Sequence, residues 1–393
     1  MATPDAPGHR MAATALGQRL MAAALALPLA TPPAQAESAP ERGVVALKYL
    51  DYLDSQPGAD RIRVRAPSLR VLVPLPGAMG GATGGMLGGD WSVGGTLTSD
   101  AISGASPAFH SQVLRSMRDE RHALDAELTR HLPNGGITLG AVVSREADYL
   151  SRGLSVLARR ESDDRNTTWS AGIGVARDSI RPSNGTFARD TKRVVDLLAG
   201  VTQVMGTHDI VQLNLAHRIG RGYFSDPYKV NDNRPRRRDS STALLRWNHH
   251  IEATQTTARL SCRFYTDTWR IRAHTLGLEL VQPLPQGWTV SPLLRLYTQS
   301  AASFYVDADP ANDPFPPNPP DDAEFFSEDQ RVSAFGALTL GLKLAKQINA
   351  DWSMDVKLER YSQRSAWRLF GSGSPGLAPF NARSLQVGVT RQF

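Results

Sequence analysis

Residues 384–393 read Ser-Leu-Gln-Val-Gly-Val-Thr-Arg-Gln-Phe. Counting back from Phe393 in steps of two gives Arg391, Val389, Val387 and Leu385. The residues between them are Gln392, Thr390, Gly388, Gln386 and Ser384. A period of two belongs to a strand, whose side chains point alternately to opposite faces. A strand that is apolar on one face, small and polar on the other, and closed by an aromatic reads as the last strand of an outer-membrane β-barrel. One face meets lipid and the other a wet lumen. Phe393 is then the expected assembly signal, read by the barrel assembly machinery.

The same alternation recurs upstream. Trp352, Met354, Val356 and Leu358 oppose Ser353, Asp355, Lys357 and Glu359. Leu338, Leu340, Leu342 and Leu344 oppose Thr339, Gly341 and Lys343. Trp288, Val290, Leu294 and Leu296 oppose Thr289, Ser291, Arg295 and Tyr297. Val211, Leu213 and Leu215, and Trp91, Val93 and Leu97, follow the same rule. Short turn-like links at 133–136, 205–208, 252–255, 283–287 and 348–351 separate longer polar links at 103–118, 178–190, 219–239, 301–330 and 365–382. Alternating short and long links match periplasmic turns and extracellular loops. Trp91, Trp288 and Trp352 each follow a short-side link, which places them in a periplasmic aromatic girdle. Fifteen elements run from residue 62 to the C-terminus. The segment Val44–Tyr52 and the turn Asp54-Ser-Gln-Pro-Gly58 supply one more. The expected fold is an all-β, transmembrane, antiparallel up-and-down barrel of about 16 strands (14 to 18) with periplasmic termini.

An export signal precedes the strands. Arg10 and Arg19 are basic, Leu20–Leu29 is apolar, and Ala34-Gln35-Ala36 is a small-x-small cleavage site. Residues 1–36 read as a signal peptide, with Met11 an alternative start, and residues 37–393 as the barrel domain. Cleavage takes the net charge from +6 to +5. No later stretch is apolar for the roughly 18 residues that a spanning helix needs. The chain is therefore expected in the outer membrane, against lipids and lipopolysaccharide. The single cysteine, Cys262, excludes an internal disulfide and a cysteine-rich metal site and is expected to be buried or lipid-facing. Gly77–Gly89 holds seven glycines without a phosphate-cradle spacing and reads as a periplasmic linker. The Pro- and Asp-rich stretch 310–322 reads as an exposed loop. Nothing suggests nucleic-acid binding.

Candidate site residues follow from the polar faces. Arg246, Arg263, Glu279, Arg295, Asp355, Lys357 and Glu359 should face the lumen. There they either cross-pair and close it or stay wet and define a pore. Arg236, Arg237 and Arg238 sit in the run Arg234-Pro-Arg-Arg-Arg238 of the 219–239 loop. They could bind lipopolysaccharide phosphates outside, constrict the mouth inside, or simply be solvated. His249 and His250 point to opposite faces and cannot share a metal. His217, His249 and His274 lie on different strands, and no G-x-S-x-G elbow exists. No catalytic, metal or cofactor site is expected, and the chain reads as a non-enzyme.

Several strings occur together: Leu47-Lys-Tyr-Leu-Asp-Tyr52, Asp54-Ser-Gln-Pro-Gly58, Asp60-Arg-Ile62, Gly89-Asp-Trp-Ser-Val93, Ser103-Gly-Ala-Ser-Pro107, Arg221-Gly-Tyr-Phe-Ser-Asp-Pro-Tyr-Lys229, Arg246-Trp-Asn-His-His250 and Gly371-Ser-Gly-Ser-Pro-Gly376. They resemble an uncharacterised family of proteobacterial exported proteins regarded as outer-membrane barrels. The resemblance implies no catalytic residues. It also implies gene neighbours among periplasmic lipoproteins, thioredoxin-like proteins and a flavin transferase, hence a role near extracytoplasmic redox chemistry. The chain departs from the barrel pattern at Arg391, where an apolar residue is usual, and in the long Gly-rich linker. The expected function is passive passage of a small polar solute or ion. The alternatives are a closed barrel scaffolding a periplasmic partner and, third, a lipid- or lipopolysaccharide-modifying enzyme.

Overall fold

A computed structural model describes residues 40–75, 90–105, 116–229, 231–307 and 319–393. The expected signal peptide (1–36) and Gly-rich linker (77–89) lie outside the described residues, as does most of the Pro- and Asp-rich stretch 310–322.

Sixteen strands close into one antiparallel sheet. They are β1 (Val44–Gln56), β2 (Ala59–Leu75), β3 (Trp91–Ala105), β4 (Ser116–Leu132), β5 (Gly135–Arg145), β6 (Tyr149–Glu161), β7 (Thr167–Ile180), β8 (Asp190–Val204), β9 (Asp209–Gly222), β11 (Arg237–Ile251), β12 (Thr256–Asp267), β13 (Arg272–Leu284), β14 (Trp288–Gln299), β16 (Phe335–Gln347), β17 (Trp352–Arg364) and β18 (Phe380–Gln392). Two-residue strands β10 (Asp232–Asn233) and β15 (Phe326–Ser327) pair separately, above the barrel. Each barrel strand pairs with its neighbours in sequence, and β1 pairs with β18 from Val44↔Gln392 onward. Closure leaves no strand edge unpaired, which removes the usual route to edge-to-edge aggregation. The expected count of 16 is the observed count.

The barrel has two unlike ends. Residues Val44 and Gln392 lie at one, with the links 133–134, 162–166, 205–208, 252–255, 285–287 and 348–351. The other carries 181–189, 223–236, 300–334 and 365–379, together with three short links at 57–58, 146–148 and 268–271. We call these the turn end and the loop end. Several expected loops are redrawn, 178–190 to 181–189 and 365–382 to 365–379 among them. The 219–239 link narrows because β9 continues to Gly222 and β11 starts at Arg237. The 301–330 link widens to 334, because a single helical turn at Gln330–Val332 precedes β16.

Period-two alternation sets the two faces. Outward residues such as Leu47, Leu97, Leu139, Leu154, Leu215, Leu245, Leu342 and Leu358 are exposed on the barrel wall. A soluble protein rarely leaves so large an apolar surface in water, so this belt is built for hydrocarbon. Cys262 is exposed on the same face, opposite outward Leu245. Towards the turn end the outward face carries Trp91, Trp169, Trp247, Trp288 and Trp352, two more than the three expected. Cations cap three of them: Arg130 lies 5.8 Å from the Trp91 ring, Lys346 5.0 Å from Trp288 and Arg391 5.5 Å from Trp352. Arg391 thus stands where an apolar residue is usual, with its guanidinium beside the Trp352 ring.

Candidate functional site: the lumen and its loop roof

Inward side chains are polar and short side chains alternate with long ones. Gly94 sits under the Glu127 carboxylate and Gly388 under Asp355, so a Cβ at either would collide with the acid. Inward Arg70 pairs with Glu127 at 3.1 Å, yet their side chains keep 54% and 41% of their accessible surface. Exposure of that size inside the wall means a lumen wide enough for water.

All seven lumen candidates lie on the inward face, but the structure sorts them into two kinds. Lys357 pairs with Glu359 at 3.0 Å along β17. Glu279 accepts from Arg259 at 3.3 Å. Arg246 stands two residues above Asn248 on the same wall, with Ser261 and Gly277 beside it in the row that leads to Arg295. Among the described residues Arg295, Arg263 and Asp355 have no ion-pair partner; Arg263 lies 5.8 Å from the Tyr265 ring. Arg295, beside Gly277 in this row, is exposed on the inward face. Opposite this basic wall of β11–β14, across the ring of strands, stand β2–β5. There the inward acids Asp100 and Glu127 are held by Arg121 and Arg70.

The loop end is roofed on one side. Trp269, Ile271, Ala302, Phe304 and Val332 form an apolar cluster backed by Phe224, Tyr265 and Tyr305. Trp269 keeps 2% of its surface. Its ring lies 4.1 Å from the guanidinium of inward Arg238, and Phe224 lies 5.7 Å from the ammonium of inward Lys192. The roof therefore rests on the inner faces of β8 and β11. Below it lies a cavity of about 470 Å³ bordered by Arg218, Arg238, Arg263, Tyr297, Gln299 and Arg331.

Charge ties the roof together. Buried Asp329 accepts from Arg234 at 2.7 Å and from the Arg331 Nε at 2.8 Å, with Lys229 at 3.5 Å. Arg234 also donates to Asp232 at 2.7 Å. Burial would push the Asp329 carboxyl up, but three cations at contact overcome it and hold the group well below the usual carboxylate range. Neighbouring Glu328 is pushed up by burial, which its attraction to Lys229 only partly offsets.

The arginine run is split by strand alternation. Arg234 is buried in the roof. Arg236 pairs with Asp190 at 2.7 Å. Arg237 opens β11 facing outward and pairs with Asp239 at 2.7 Å. Arg238 faces inward and pairs with Asp267 at 2.9 Å. These residues do not form one loop patch, because two of them already belong to a strand with opposite faces.

Some relationships had no signal in sequence spacing. Lys192 donates to Tyr149 at 2.7 Å and pairs with Asp178 at 3.1 Å, both charged side chains keeping 4% of their surface. Arg218 pairs with Asp196 at 2.7 Å. On the outer face, His217 Nδ1 lies 2.9 Å from Ser241 Oγ. No acid orients the imidazole among the described residues, and the backbone donors beside it are used in the sheet, so neither half of an acyl-transfer site is complete. His249 meets Asp209 at 2.8 Å outside, whereas His250 faces inward, stacked 6.5 Å from His208. No group of three or more metal-ligating side chains occurs among the described residues.

The sequence matches the profile of a protein of unknown function (DUF3570) over residues 101–189 and 184–384. No curated protein matches it. Among solved structures, a bacterial polysaccharide outer membrane secretin superposes with a TM-score of 0.50 at 8% identity, over 89% of this chain and 98% of that one. Pseudomonas aeruginosa OccK2 (OpdF), solved in complex with glucuronate, gives 0.44 at 11% identity, over 91% and 99%. The first of these likenesses concerns the fold alone, a closed barrel of the outer-membrane type.

Proposed function

This chain belongs to the DUF3570 family of proteins of unknown function, and from that premise we propose that it is an outer-membrane channel for passive passage of small polar solutes, with a preference for anions. The apolar belt and the tryptophan ring support an outer-membrane site, with the turn end in the periplasm and the loop end outside. The observation that carries conduction is the exposure of the inward pair Arg70 and Glu127, whose side chains keep 54% and 41% of their surface. The anion preference rests on Arg263 and Arg295, which project from one wall without carboxylate partners among the described residues. A fixed cation in a narrow, low-dielectric passage raises the local anion concentration. The residues of the roof filter by size from above.

The test is single-channel conductance of the detergent-refolded mature chain in planar bilayers across a salt gradient. Discrete steps that scale with salt, with a reversal potential on the anion side, support the reading. A heat-modifiable barrel that never opens overturns it. The scaffold alternative, a closed barrel holding a periplasmic protein, would then take its place, and crosslinking from the turn end would identify that protein.

A further inference from the structure

Five outward arginines stand side by side at the loop end. Arg152 of β6 faces Arg177 of β7, Arg177 faces Arg193 of β8, Arg193 faces Arg221 of β9, and Arg221 faces Arg237 of β11. All five are exposed. With strands about 4.8 Å apart, the row spans about 19 Å. Like charges in direct cross-strand register repel. Asp239 relieves the end of the row by pairing with Arg221 and Arg237. Arg152, Arg177 and Arg193 have no acidic partner among the described residues. A row of this kind on a lipid-facing wall calls for an external anion.

A second feature lies on the same strands. Below the row the outer wall carries an apolar depression of about 710 Å³, hollowed by Ala158, Ala171, Ala199 and Ala243 and flanked by Leu215 and Phe264. On every strand it lies a fixed step from the arginines. Val156 is four residues from Arg152, Ile173 from Arg177, Leu197 from Arg193, His217 from Arg221 and Ser241 from Arg237. Four residues are about 13 Å along a strand. The bonded His217–Ser241 pair occupies the groove rim nearest the arginines. Reading from mid-wall towards the loop end, the surface runs from the alanine groove to the row Val156, Ile173, Leu197, His217 and Ser241, then Leu154, Val175, Val195, Ile219 and Asp239, then the arginine row.

We propose that this wall is a binding site for a phosphorylated glycolipid of the outer leaflet, of the lipid A class. Its acyl chains fill the alanine groove and run up past Leu154, Val175 and Val195, and its phosphates accept paired donors from Arg152, Arg177 and Arg193. Guanidinium forks match phosphate oxygens in a bidentate manner and strengthen where water is scarce. The breadth of the row favours a head group with two separated phosphates over a phospholipid with one. This inference rests on the outer-membrane reading, with the loop end outside, and is independent of conduction.

The test titrates the detergent-purified full chain with bisphosphorylated lipid A, followed by native mass spectrometry. Heat-modifiable gel mobility reports folding of every sample. The wild type should bind lipid A. The triple variant Arg152→Gln/Arg177→Gln/Arg193→Gln should bind at least tenfold more weakly, and Ala199→Trp, which fills the groove and leaves every arginine, should also weaken binding. Should either variant not fold, Arg177→Gln alone should still weaken binding measurably. Equal binding by the folded triple variant overturns the site. So does equal affinity for phosphatidylglycerol, or competition by inorganic phosphate at the same concentration as lipid A. A chain that binds no lipid but stays heat-modifiable removes the lipid site and leaves the barrel standing. A chain soluble without detergent removes the membrane reading and the site with it.

Discussion

The Arg234 guanidinium meets the Asp329 carboxylate at 2.7 Å across 95 residues of chain, joining the loop after β9 to the loop after β14. Asp329 is the point on which Lys229, Arg234 and Arg331 converge. The charged part of the roof therefore hangs on one buried carboxylate. Removing one member of a buried ion cluster strands the others, typically at a cost of about 3–5 kcal/mol. Asp329→Asn should release the roof without unfolding the wall, since the sixteen-strand ladder does not pass through it. Limited trypsin digestion should then cut near Arg234 and Arg331, and conductance steps should become larger. Unchanged protection from trypsin would show that the apolar cluster around Trp269 holds the roof alone.

The roof should respond to acid in two stages. Glu328 has its carboxyl raised by burial, so protonating it on mild acidification removes a desolvation penalty and slightly tightens the roof. Asp329 is held well below the normal range, so its contribution is fully present above the unfolded value near 4 and is lost only as pH falls through the depressed folded value. Open probability in planar bilayers should hold steady or drop slightly from pH 7 to about 5, then rise in strong acid. A roof that opens steadily from pH 7 downward would contradict this assignment.

Arg263→Ala and Arg295→Ala should each lower anion preference, and the double variant should bring the reversal potential close to zero in a salt gradient. Neither side chain holds the wall together, so heat-modifiable mobility should be unchanged. By contrast, Lys357→Ala leaves Glu359 without its 3.0 Å partner and should move selectivity towards cations. A reversal potential indifferent to all three would place the selectivity filter in the roof.

Cys262 offers a direct test of the outward apolar face. In lipid bilayers a membrane-impermeant maleimide should fail to label it, and in denaturant labelling should be complete. Full labelling in bilayers would mean that this part of the wall meets water.

Phe393 closes the seam: its backbone exchanges hydrogen bonds with Gly43 at 2.8 and 2.9 Å, and its ring lies across Gly43. Phe393→Ala should lower the yield of assembled barrel in cells far more than it lowers the thermal stability of refolded barrel. Equal yields would remove Phe393 as an assembly signal.

Much of the fold was legible because strand alternation is local. Whether Leu358 or Lys357 faces lipid is decided by parity along one strand, and the seven polar candidates from Arg246 to Glu359 fell on the inward face for that reason. The split of Arg237 from Arg238 followed the same rule, but only after the start of β11 was known. Strand boundaries depend on where ladder bonding to β9 stops, and no residue type in 234–238 signals that.

The sequence by itself determined which residues share a face and that the strands number about 16, because alternation and turn residues depend on neighbours within a few residues. Only the tertiary structure decided what stands beside what. Arg152, Arg177, Arg193, Arg221 and Arg237 are between 16 and 28 residues apart at each step, and their alignment depends on the register of four ladders and the lengths of the links between them. Asp329 finds Arg234 only because two loops cross the same mouth. Closure of the sheet fixes both at once: a one-residue slip in any ladder would turn a strand's apolar face inward, so the register that buries the belt in lipid also sets the arginine row and the roof.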